Sequence, residues 1–66
     1  MTVLVNSKPQ QLDDGATVAA LVETLGLSLQ RVAIEVNLEL VTHTRWADFK
    51  LNEGDRVEIV SFVGGG

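Results

Sequence analysis

The chain has 66 residues, 45% of them hydrophobic, which allows one domain with a thin core and no room for a second. It has no cysteine and one histidine, His43, so neither disulfides nor a Cys/His zinc site can support the fold. Nine acidic residues against five scattered basic ones, Lys8, Arg31, Arg45, Lys50 and Arg56, give a net charge of −4 and leave no cationic cluster for a phosphate backbone, so nucleic-acid binding is not expected.

"TVLVN" at 2–6 is β-branched and apolar and reads as a strand that stops at the turn-like cluster Asn6-Ser7-Lys8-Pro9. "QQLDD" at 10–14 reads as its returning, more exposed partner, broken by Gly15. In "TVAALVETLG" at 17–26, Val18, Leu21, Val22 and Leu25 fall on one helical face, Thr17 is the N-cap and Gly26 the left-handed C′ residue. "RVAIEV" at 31–36 alternates, with Val32, Ile34 and Val36 on one side and Arg31, Ala33 and Glu35 on the other. Leu38 resists the positive φ of a two-residue type I′ turn, so a different turn is expected after Asn37. "LELV" at 38–41 is a short strand. The segment 42–51 reads as irregular, with one helical turn capped by Thr44, and with Trp46 and Phe49 forming a satellite core beneath it. "EGD" at 53–55 is a turn, and "RVEIVSF" at 56–62 is the last strand.

The order β-β-α-β-β-β, with one main helix on a mixed sheet of four to five strands, belongs to the α+β class and matches the β-grasp, ubiquitin-like fold. The last strand of that fold is central. Residues 1–62 are then the domain and 63–66 a flexible glycine tail.

No side-chain constellation suggests an active site. His43 reads as a solvated loop histidine, and the acids Asp13, Asp14, Glu53 and Asp55 sit where turns use them. The remaining reactive group is the terminal carboxylate. Gly64, Gly65 and Gly66 carry no side chains and thread a narrow channel readily. With Val63 the tail reaches about 13 Å past the strand. Ordering it costs about 4–8 kcal/mol, which contacts at its base must offset. Alternation in the last strand puts Val57, Ile59 and Ser61 on one side and Glu58, Val60 and Phe62 on the other. Val60 and Phe62, with Val63, are therefore partner-contact candidates if the first set faces the helix, and ordinary core if it does not.

"VAIEVN", "LELV", a Trp, and above all "EGDRVEIVSFVGGG" at 53–66 resemble the thiamine-biosynthesis sulfur carriers of the ThiS family, over essentially the whole chain. The resemblance implies that a ubiquitin-activating-like adenylyltransferase uses MgATP to adenylate Gly66. A cysteine desulfurase system then supplies persulfide sulfur, and the resulting thiocarboxylate serves thiazole synthase. The chain is then a carrier rather than an enzyme and binds no cofactor or metal itself. Relatives often place a Pro and a basic residue in the loop before the Trp, where this chain has Thr42-His43.

Two rivals share the activation step: the small subunit of molybdopterin synthase, whose approach to the diglycine usually contains a proline absent here, and a ubiquitin-like protein modifier. A plain interaction module is the third alternative, and it would keep its binding after deletion of Gly65 and Gly66. With no leader and no apolar run near ~20 residues, a cytoplasmic monomer off the membrane is expected.

Overall fold

The computed structural model describes residues 1–27 and 31–62. The strands are β1 (Thr2–Val5), β2 (Lys8–Gln11), β3 (Val32–Val36), β4 (Glu39–Val41) and β5 (Arg56–Ser61), with helix α1 (Val18–Thr24) and a 3₁₀ turn at His43–Arg45. They form one sheet of order β2-β1-β5-β3-β4, in which β1 and β5 are parallel and every other pair antiparallel. This is the β-grasp arrangement. The last strand of the chain is the middle strand of the sheet, so the sheet closes only when β5 enters between β1 and β3.

One face of the sheet is covered. Val3, Val32, Ile34, Val36, Val41 and Val57 point from the strands into a core that α1 completes with Val18, Leu21 and Val22. Trp46 and Leu51 belong to this same core, and Trp46 is only 4% exposed. The expected satellite core beneath the 42–51 segment is therefore part of the main one. The segment folds in because its carbonyls are needed: Val18 N–H donates to Phe49 O at 3.0 Å and Ala19 N–H to Trp46 O at 3.0 Å. Thr17 Oγ1 accepts from Ala20 N–H at 3.2 Å, so the first three orphan donors of the helix are all satisfied. Thr44 caps nothing. The 3₁₀ turn starts after Thr42, which makes no side-chain cap.

The helix ends as expected. Gly26 has φ 67°, its N–H donates to Glu23 O, and Leu27 N–H reaches back to Val22 O, the paired bonds of a Schellman cap.

Both hairpin turns differ from the sequence reading, and for one reason. β1 pairs with β2 from Val5↔Lys8 outward, so the turn is Asn6-Ser7 alone, and Lys8 and Pro9 already belong to β2. Leu4 N–H donates to Asp55 O on the β5 side, so the facing Pro9 sits where the ladder asks no donor of it, on an edge strand that tolerates proline. β3 pairs with β4 from Val36↔Glu39, leaving only Asn37-Leu38 to turn. All four turn residues have positive φ (48° and 72°, 51° and 71°), the signature of type I′ turns. The registers dictate these two-residue turns, and Leu38 accepts the left-handed conformation despite its Cβ. Leu38 is 87% exposed. Leu38→Gly is therefore expected to stabilise the chain by about 0.5–1 kcal/mol, the relieved strain exceeding the added unfolded-state entropy. Urea unfolding with an unchanged m-value checks this.

The asparagines that open these turns also hold the central strand. Asn6 clamps Ile59, its Oδ1 accepting from Ile59 N–H at 2.8 Å and its Nδ2 donating to Ile59 O at 3.2 Å. Asn37 Oδ1 accepts from Arg56 N–H at 3.0 Å, and its Nδ2 donates to Asp55 Oδ1 at 3.1 Å. Two side chains thus replace ladder bonds that β1 and β3 no longer supply to β5.

Candidate functional site

Among the described residues, no element covers the sheet face opposite α1. Core residues Val57 and Ile34 fix the parity, and the registers Ala33↔Val60 and Glu35↔Glu58 between β3 and β5, with Glu35↔Leu40 between β3 and β4, place these side chains together on the open face. Val60 and Phe62 are 56% and 57% exposed. The alternation in "RVEIVSF" thus runs in the direction that exposes them, with Val57 buried and Ile59 packed against the core.

β5 ends at Ser61, one residue short of the expected 56–62, and Phe62 follows it as the last described residue. Its N–H donates to Arg31 O at 2.7 Å, so the base of the tail is held by β3's entry on one side. On the other side β1 has ended and the Asn6 carboxamide takes over at Ile59. Val63, Gly64, Gly65 and Gly66 lie outside the described residues.

Beside Phe62 is a groove of about 360 Å³ with mostly apolar walls, including Ala33, Leu40, His43 and Trp46. His43 is exposed but not free of partners. Its ring meets Trp46 edge-on at 4.3 Å between centroids, and Nε2 lies 3.4 Å from Val32 O. The Trp46 indole N–H donates to Val41 O at 2.8 Å, which ties the loop to β4 and sets the back of the groove.

Sequence periodicity had grouped Ala33 with Glu35 and had singled out Val60 and Phe62. It missed Leu40, 56% exposed, because a strand of three residues has too few positions to show its parity. Only the pairing with β3 assigns Leu40 to this face. Asp55 does turn work, as expected, its Oδ2 accepting from Asn52 N–H at 2.8 Å beside Gly54 with φ 81°, whereas Glu53 Oε1 reaches across to accept from Thr2 N–H at the start of β1 at 2.9 Å. Among the described residues no group of three or more His, Cys, Asp or Glu side chains is placed to hold a metal.

A mixed five-strand sheet gripping one helix, with the exposed apolar side chains Val60 and Phe62 where its central strand ends, defines a ubiquitin-like β-grasp domain. The chain belongs to the ThiS family, whose model matches residues 3–66. It is 34% identical over 64 residues to the sulfur carrier protein ThiS of Thermus thermophilus, covering 97% of this chain and 98% of that one. A crystal structure of the thiamine biosynthesis protein ThiS from Geobacter metallireducens superposes with a TM-score of 0.84 at 30% identity, covering all of both chains. The chain is also 39% identical over its whole length to part of a thiazole synthase from Paramagnetospirillum magneticum, of which it spans 20%.

Proposed function

We propose that the protein is a sulfur carrier of thiamine biosynthesis whose working group is the carboxylate of Gly66. The observation that carries this reading is that the family match runs to residue 66, through the glycines, on a domain whose central strand leads into them. A carboxylate oxygen is a poor leaving group. A ubiquitin-activating-like adenylyltransferase therefore joins Gly66 to AMP, using MgATP and releasing pyrophosphate. A persulfide from a cysteine desulfurase system attacks the acyl carbon and expels AMP. A second thiolate of the protein that carried the persulfide then attacks the inner cysteine sulfur, leaving a thiocarboxylate on Gly66 and a disulfide between the two cysteines of that protein. Thiazole synthase takes the sulfur, and the likeness of this chain to part of one such synthase supports that acceptor. Val60, Phe62 and Val63 make the contacts that offset the ordering of Gly64 and Gly65 inside the partner.

The chain supplies no catalytic side chain in this scheme and acts as a co-substrate. The test is intact mass after incubation with the adenylyltransferase, MgATP and a persulfide source. One oxygen replaced by one sulfur is expected. An unchanged mass with a demonstrably active partner would refute the reading.

A further inference from the structure

The open face has relief and charge as well as apolar area. Ala33 is the smallest side chain on it and lies opposite Val60, with Leu40 and Phe62 also lining or bordering the adjoining groove. A methyl group among larger neighbours leaves a pit. One register step away, Glu35 and Glu58 stand directly opposite each other on β3 and β5, the cross-strand arrangement in which like charges destabilise a sheet. Among the described residues the ion pairs are Met1 with Asp14 and Arg45 with Glu39, and neither Glu35 nor Glu58 belongs to one.

We infer that this face receives a partner that inserts one apolar side chain into the pit over Ala33 and sets a basic side chain against Glu35 and Glu58. The inference rests on the carrier reading, in which that partner is the adenylyltransferase. A second copy of this chain fits poorly. Isologous contact would bring both carboxylate pairs together between two molecules that each carry a net charge of −4. A cation removes the repulsion within the pair on docking, so the free domain is less stable than it would be with glutamines there, and the bound one gains specificity and association rate.

The adenylyltransferase with MgATP, assayed by pyrophosphate release, gives KM and kcat for each variant. Ala33→Leu fills the pit without touching the core and is expected to raise KM about tenfold with kcat retained at saturation. Glu35→Gln with Glu58→Gln is expected to raise the thermal midpoint of the free chain while raising KM about threefold or more at low salt and flattening its salt dependence. Glu23→Gln on the helix, with a single charge removed elsewhere, leaves KM unchanged. Wild-type KM and salt dependence in the glutamine pair overturn the inference, as does wild-type KM in a folded Ala33→Leu chain. Should Ala33→Leu unfold the domain, the glutamine pair decides alone. A dimer that Ala33→Leu dissolves also overturns it. A wild-type chain that is never adenylated refutes the carrier reading as well, a result distinct from a modified chain with indifferent variants.

Discussion

Removal of Gly66 is expected to leave a folded domain that gains no sulfur. The described ladder ends with Phe62 N–H on Arg31 O, and the core is assembled from residues no later than Ile59, so the last residue contributes nothing to the packing described. The chemistry is a different matter. Losing one residue withdraws the terminal carboxylate by about 3.5 Å along an extended tail. Misplacing a reacting group by even ~1 Å costs about a hundredfold in rate, so the truncated chain should be modified at least that much more slowly. Intact mass reports the modification and the thermal midpoint reports the fold. Sulfur uptake at the wild-type rate by the truncated chain would show that the carboxylate of Gly66 is not the acceptor. A drop in midpoint of many degrees would show that the tail is structural.

Trp46→Ala is expected to leave little folded protein. The indole is almost fully buried, belongs to the main core and donates to Val41 O at 2.8 Å. Its backbone carbonyl also accepts from Ala19 N–H, so the loop's path and the helix start are set together. Truncating a buried Trp to Ala costs about 3–5 kcal/mol, comparable to the whole stability of a domain this small. Trp46→Phe keeps most of the volume but removes the donor to Val41 O, and is expected to cost about 1–2 kcal/mol. Circular dichroism under urea suits both variants, since the fluorescent reporter is itself removed. A loss below about 1 kcal/mol for the alanine variant would place Trp46 outside the cooperative core.

The helix was legible because its signals are local. The spacing of Val18, Leu21 and Val22, the Thr17 cap and Gly26 all act within a few residues, and each has the role its position suggested. The parity of β5 was legible as two alternatives, and burial of Val57 chose between them. The hairpin turns were misread because turn length follows from strand register, a property of two segments at once. Nothing in "NL" announces a type I′ turn, yet the pairing of Val36 with Glu39 leaves no other. Trp46 was misread for a similar reason. An irregular segment has no periodicity to point its side chains inward, whereas the unpaired N–H groups at the start of α1 draw its carbonyls, and with them the indole, into the main core.

By itself the amino-acid sequence determined the class of this protein: the element order, the amphipathic helix, the acidic balance, and a final strand running into three glycines, all of which depend on composition and short-range pattern. Tertiary structure alone decided which exposed residues form one surface. Ala33, Leu40 and Val60 come from three strands and share a face only because β3 pairs with β4 on one side and with β5, last of the described strands, on the other. The facing glutamates have the same origin. A docking face is a property of register, and register is settled when distant segments bury their common apolar side against the helix.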